Sequence, residues 1–135
     1  MRTHRQSIIL LLVVLLTGSA RGAQSAPGRI GIDAFMRMHA MKAVLVIDVR
    51  GTDAYRAGHI PGALHVPLDQ IAARADEIRS LAKAPNPLVT YCSCPEEHAS
   101  LVAVQLLGEH GISNASALVG GFPAWVAKGG IAEKR

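Results

Sequence analysis

Apolar residues recur along this chain with two different periods, and the changes of period mark out alternating helices and strands. In IDAFMRMHAMK, residues 32–42, the positions Ile32, Phe35, Met38 and Met41 fall at helical spacing, which predicts a short helix with its apolar stripe on a core. Residues 43–47, AVLVI, are an unbroken apolar run of strand length, followed at once by the charged DVR. A strand apolar on both faces fits a parallel sheet covered by helices on each side. In GHIPGALHVP, residues 58–67, Pro61 and Gly62 supply turn chemistry and residues 63–66 a second short strand. Residues 68–83 read as one amphipathic helix carrying Leu68, Ile71, Ala75, Ile78 and Leu81 on a single face, and APNP breaks it. LVTYC, residues 88–92, is a third strand, and ASLVAVQLLGEH, residues 99–110, is a long helix closed by Gly111. SALVGG then predicts a fourth strand and turn, and FPAWVAKGG a last short helix with Gly129 past its end. Strands alternating with helices over this length imply an α/β sandwich on a mostly parallel sheet.

The first 26 residues do not belong to that pattern. Arg2 and Arg5, the apolar run IILLLVVLL at residues 8–16, and the small residues Gly18, Ser19 and Ala20 form the three-part layout of a secretory signal peptide. Cleavage is expected near Ala20 or Ala23, which leaves residues 27–135 as one domain in the periplasm or outside the cell. The alternative is an uncleaved anchor, but nine apolar residues fall short of the ~20 that span a bilayer as a helix. No other run is long enough to cross, so no stable membrane insertion is expected after cleavage. The leader also distorts the charge. The chain carries a net +4, but without Arg2, Arg5 and Arg21 eleven basic residues face ten acidic ones, a balance of +1. A near-neutral domain without a basic cluster argues against nucleic acid as a partner. The remaining length suits one core and not two, and a monomer is expected.

Candidate chemistry concentrates in VTYCSCPEEHAS, residues 89–100, which holds the only two cysteines, Cys92 and Cys94. Two cysteines cannot form a multi-bridge framework. In an oxidising compartment such a pair is oxidised, reactive or occupied by a metal.

The order of motifs resembles the rhodanese-like (sulfurtransferase) family. VLVIDVRGTDAYRAGHIPGALHVPL, residues 44–68, is similar to its first signature: Asp-x-Arg after a strand, then Gly-His-Ile-Pro-Gly-Ala. LVTYC, a helix and then LVGGFPAW are similar to its second half, and the likeness extends over about residues 30–130. The resemblance implies a rhodanese-like three-layer sandwich with a central parallel sheet. It also implies a cysteine thiolate that takes sulfane sulfur from a small donor, holds it as a persulfide and passes it to cyanide or a thiol, including a protein thiol, without cofactor or metal. Local physics agrees, because ligands of open α/β sheets sit beyond the carboxyl ends of strands, where Cys92 falls. A helix N-terminus beyond it favours an anion and lowers a thiol pKa.

The loop departs from the family pattern, Cys-x-x-Gly-x-Arg-Ser. Aligned on Cys92, Pro95 stands at the glycine and Glu97 at the arginine. Ser93, Pro95, Glu96, Glu97 and His98 thus form an active-site loop with carboxylates where a cation is usual, and an anionic donor such as thiosulfate is expected to be repelled. The register has two solutions. The strand end selects Cys92, whereas the distance to Gly111 selects Cys94. Pro95 has no N–H to offer a sulfur at Cys94 but suits a first helical position, and Ser93 with Glu96 has capping-box spacing. These features favour Cys92 as nucleophile, with Cys94 as the alternative or as a resolving thiol able to close a Cys92–Cys94 disulfide. Asp48 and Arg50 are expected as an ion pair behind the site, with Arg50 able to supply positive charge at its mouth. His59 is expected to serve its turn, and Trp125 to pack in the core.

Two other classes stay open at this point. One is an inactive rhodanese fold that only binds. The other is an exported copper carrier, with Cys92, Cys94 and His98 as soft ligands beside the Met36, Met38, His39 and Met41 helix. A phosphatase of the same fold is disfavoured, because position 98 is His where a seven-residue loop needs Arg, and two glutamates line the loop.

Overall fold

The computed structural model describes residues 28–82 and 85–135. The expected leader, residues 1–26, lies outside them. Five strands form one all-parallel sheet: β1 (Gly28–Ile30), β2 (Leu45–Asp48), β3 (Leu64–His65), β4 (Leu88–Tyr91) and β5 (Ala115–Leu118). Their order is β1-β5-β4-β2-β3. The connecting helices are α1 (Ile32–Ala40), α2 (Thr52–Ala57), α3 (Ala75–Leu81), α4 (His98–Glu109) and α5 (Gly121–Ala127).

The sheet is apolar on both faces, as the AVLVI and LVTYC runs require. Ile47, Leu88 and Ala117 face Ile71, Ile78, Ala103, Val104 and Leu107, so α3 and α4 cover one side. Val46, Val89 and Leu118 face Phe35 and Trp125, so α1 and α5 cover the other. Neighbouring residues of one strand thus serve opposite cores, the period-two consequence of the pleat. The result is the expected three-layer sandwich.

Several local expectations are corrected. The helix expected over residues 68–83 is two pieces: a 3₁₀ turn at Leu68–Gln70 and α3. Ile71, Ala75 and Ile78 are buried as the pattern requires, while Leu81 is exposed. The split follows a tertiary anchor, because Arg74 turns its guanidinium back to the His65 carbonyl (2.9 Å) as well as to Glu77. The β2 strand begins two residues later than expected and ends on Asp48, so this carboxylate is a buried strand residue. Ser93 caps nothing: a 3₁₀ turn at Pro95–Glu97 has Cys94 at its N-cap, α4 follows with Glu97 at its own, and neither end has a side-chain cap. The capping-box geometry is lost because Glu96 and Glu97 take left-handed backbone, at φ 57° and 56°.

That conformation is unfavourable for a residue with a Cβ, by about 1–2 kcal/mol. Glu96 is exposed and its side chain is free to be replaced. Glu96→Gly is therefore expected to raise stability by about 0.5–1 kcal/mol, after the greater entropy glycine loses on folding is subtracted. Chemical denaturation of the reduced protein measures it; a loss of stability would mean that this residue is held in another conformation.

Candidate active site

The connection leaving β2 runs towards β3 on one side, and the connection leaving β4 runs towards β5 on the other. Between them, beyond the carboxyl ends of β2 and β4, lies the switch point at which open α/β sheets bind their ligands. Asp48 ends β2 there, and Cys92 directly follows β4.

Cys92 and Cys94 are joined as a disulfide, with their Cα atoms 5.7 Å apart, inside the usual range for such a pair. The two sulfurs have different surroundings. Cys92 is 3% exposed and belongs to the core cluster beneath α4. Its Sγ lies 3.7 Å from the Ser100 hydroxyl, which itself donates to the Glu97 carbonyl at 3.0 Å. Cys94 is only partly buried, and the Ala99 backbone N–H donates to its Sγ at 3.3 Å. That N–H is one of the first-turn donors of α4 with no carbonyl partner inside the helix, so once the disulfide is reduced, negative charge on Cys94 Sγ would be stabilised by both the hydrogen bond and the helix end.

Behind the sulfurs sits a buried polar network. Asp48 is fully buried and accepts from the Arg50 Nε (2.9 Å), the Arg50 Nη2 (2.6 Å) and the Arg50 backbone N–H (2.9 Å). Tyr91 donates its hydroxyl to the same carboxylate at 2.6 Å and accepts from the Ile60 N–H at 3.0 Å. Burial and the adjacent Asp48 charge push the Tyr91 phenol far above its ordinary range, so it remains a neutral donor. Burial opposes the Arg50 charge, but hydrogen bonding to and attraction from Asp48 outweigh it and hold the guanidinium protonated. Arg50 also stacks over the rings of Phe122 (4.2 Å) and Tyr91 (5.3 Å). Its Nη1 is 3.5 Å from the Ser93 hydroxyl, between the two cysteines in sequence. The cation thus reaches the rim of the site, although most of it is committed to Asp48 and to the Gly58 carbonyl.

The loop glutamates divide. Glu96 is exposed, but the Glu97 carboxylate turns away to accept the Gly120 N–H at 2.7 Å and to pair with Arg29 at 3.4 Å. One of the two carboxylates expected to line the loop is thus engaged in tying it to β1 and to the turn after β5. Gly121 closes the same turn at φ 54°, and a Cβ there would collide with the Cys92 carbonyl. Only glycine lets the Phe122 N–H reach that carbonyl at 2.9 Å and fix the strand tip that carries the cysteine. Pattern reading missed Tyr91, Ser100, Phe122 and Arg29 as site neighbours. The Tyr-Cys and Gly-Gly pairs marked where two of these contacts occur, whereas Arg29 left no signal.

The copper arrangement is not assembled. Among the described residues no three His, Cys, Asp or Glu side chains gather where an ion could be held. His98 is exposed at the start of α4. Met36 and Met38 pack against the Phe35 core, Met41 points to solvent, and His39 bonds the Pro61 carbonyl.

Residues 32–128 match the model of the rhodanese-like domain, and the chain belongs to that family. Several of its relatives carry the names of sulfur-transfer proteins. The chain is 28% identical over 111 residues to a putative sulfur carrier protein, YrkF of Bacillus subtilis, which covers 82% of this chain and 56% of the relative. It is 37% identical over 98 residues to the thiosulfate sulfurtransferase GlpE of Pseudomonas entomophila, covering 72% of this chain and 83% of that one. The solved human single-domain sulfurtransferase TSTD1 superposes with a TM-score of 0.61 at 26% identity, over 76% of this chain and 97% of the other. The chain spans less than two thirds of the length of some curated relatives, including YrkF.

Proposed function

We propose that this domain is a sulfurtransferase or persulfide carrier that loads one sulfane sulfur on Cys92 and passes it to a thiol or to cyanide. The observation that carries this reading is the position of Cys92 at the carboxyl end of the central strand β4, in the crevice opposite Asp48 and Arg50. The Cys92 Sγ lies 3.7 Å from the Ser100 hydroxyl in the first turn of α4, and the Arg50 guanidinium reaches the neighbouring Ser93, so a thiolate there is a placed nucleophile. The names of the relatives, a sulfur carrier and a sulfurtransferase, point the same way.

Donor choice follows from charge. Arg50 spends most of its donors on Asp48 and Gly58, and the loop holds Glu97 where the family pattern has arginine, with the exposed Glu96 beside it. Persulfide and polysulfide donors are therefore favoured over dianionic thiosulfate. The leader pattern of residues 1–26 supports work outside the cytoplasm, where the cysteine pair needs a reductant before it can load.

The test is mass spectrometry of the reduced Cys94→Ser protein after exposure to a persulfide donor. It is expected to gain one sulfur atom's mass, mapped to Cys92. A protein that never gains that mass at either cysteine position, in any variant, sinks the reading.

A further inference from the structure

The two cysteines do more than offer alternative positions for one sulfur. With one residue between them and their Cα atoms 5.7 Å apart, their sulfurs meet in a bond without rearrangement of the strand tip that carries Cys92. Their environments are complementary. Cys92 is buried at the carboxyl end of β4, and the more accessible Cys94 has the Ala99 N–H and the first turn of the 12-residue α4 to hold it as thiolate.

We infer that the pair reduces the sulfur it accepts and releases it as hydrogen sulfide. This rests on the reading of Cys92 as the sulfur-loaded residue. Once Cys92 is a persulfide, the Cys94 thiolate attacks the inner sulfur, Cys92 Sγ. The Cys94–Cys92 sulfur bond forms, the bond from Cys92 Sγ to the outer sulfur breaks, and the outer sulfur departs with the bonding pair as HS⁻. In balance, Cys92–S–SH plus Cys94–S⁻ gives Cys92–S–S–Cys94 plus HS⁻. The sulfane sulfur gains two electrons, and the two cysteine sulfurs lose one each.

The disulfide arrangement is the product of that step, and it is closed to further loading because Cys92 Sγ is already bonded. A second cycle requires an external dithiol. It enters at Cys94, the more accessible sulfur, forms a mixed disulfide there, and its second thiol releases Cys94 while the reductant leaves as its own disulfide. The domain would then couple a sulfane-sulfur donor to a dithiol pool, with sulfide as the product.

The experiment mixes the reduced wild type, Cys94→Ser and Cys92→Ser/Cys94→Ser proteins anaerobically with an equimolar amount of glutathione persulfide. Free sulfide is followed in time, and alkylation with mass spectrometry reads the cysteines. Wild type is expected to release close to one sulfide per chain and to lose both alkylatable thiols, which dithiothreitol restores. Cys94→Ser is expected to keep the added sulfur and to release sulfide at least about tenfold more slowly, at the background rate set by free thiols. The inference is overturned if wild type keeps its persulfide as long as Cys94→Ser does, or if the two release sulfide equally fast. If no form gains sulfur and none exceeds the double variant in sulfide release, the sulfurtransfer reading falls and takes this inference with it.

Discussion

Cys92→Ser is expected to lower the rate of sulfur transfer from a persulfide donor to cyanide by about a thousand-fold or more, the scale on which removal of a catalytic nucleophile acts. The exchange replaces one sulfur by one oxygen, so packing under α4 changes little, yet a serine hydroxyl stays protonated at neutral pH and forms no persulfide. Cys94→Ser keeps the loading residue, and its thiocyanate production is expected to equal or exceed that of wild type, because cyanide takes the outer sulfur directly and no resolving thiol diverts it to sulfide. Side-by-side kinetics of the two variants decide between the strand register and the helix register. Loss in Cys94→Ser with retention in Cys92→Ser would move the loading residue to Cys94.

Asp48→Ala is expected to destabilise the domain by about 3–5 kcal/mol, the range for removing one partner of a buried ion pair. Asp48 is fully buried, and the Arg50 side chain that depends on it is 8% exposed. The substitution leaves the guanidinium without its counter-ion and the Tyr91 hydroxyl without its acceptor, in a place water reaches poorly. Asp48→Asn, which keeps an acceptor but no charge, is expected to fall between wild type and Asp48→Ala. Urea denaturation under reducing conditions gives the comparison. A loss below about 1 kcal/mol would mean that Arg50 swings out to solvent as exposed ion pairs do.

The sheet and the covering helices were legible because burial on both faces leaves an unambiguous mark: AVLVI and LVTYC are apolar at nearly every position, and α4 carries a long apolar stripe. What escaped has physical reasons. The strand β1 is three residues at a sheet edge, with Gly28 and Arg29 exposed, so it carries no alternation to read. The helix α2 is six residues built around a single buried Tyr55. The break before α3 is invisible to periodicity because Ile71, Ala75 and Ile78 satisfy the core with or without it. At the site, the cysteines and the Asp48–Arg50 pair are local in sequence and could be singled out. The Glu97 contacts with Gly120 and Arg29 join residues 23 and 68 positions apart, and nothing in PEEHAS announces them. The capping-box expectation failed for the same reason: Glu97 is drawn to those distant partners, and the backbone around it follows.

Cys92 is at once the proposed chemical centre and a packed member of the interior, touching the cluster built from Ile47, Ala103 and Val104. A sulfur atom added to it must be accommodated where a methylene's worth of volume is already felt. Loading state and conformational stability are therefore linked quantities. A partner that binds the loaded form preferentially also draws sulfur onto the protein, and one that favours the unloaded form helps to expel it.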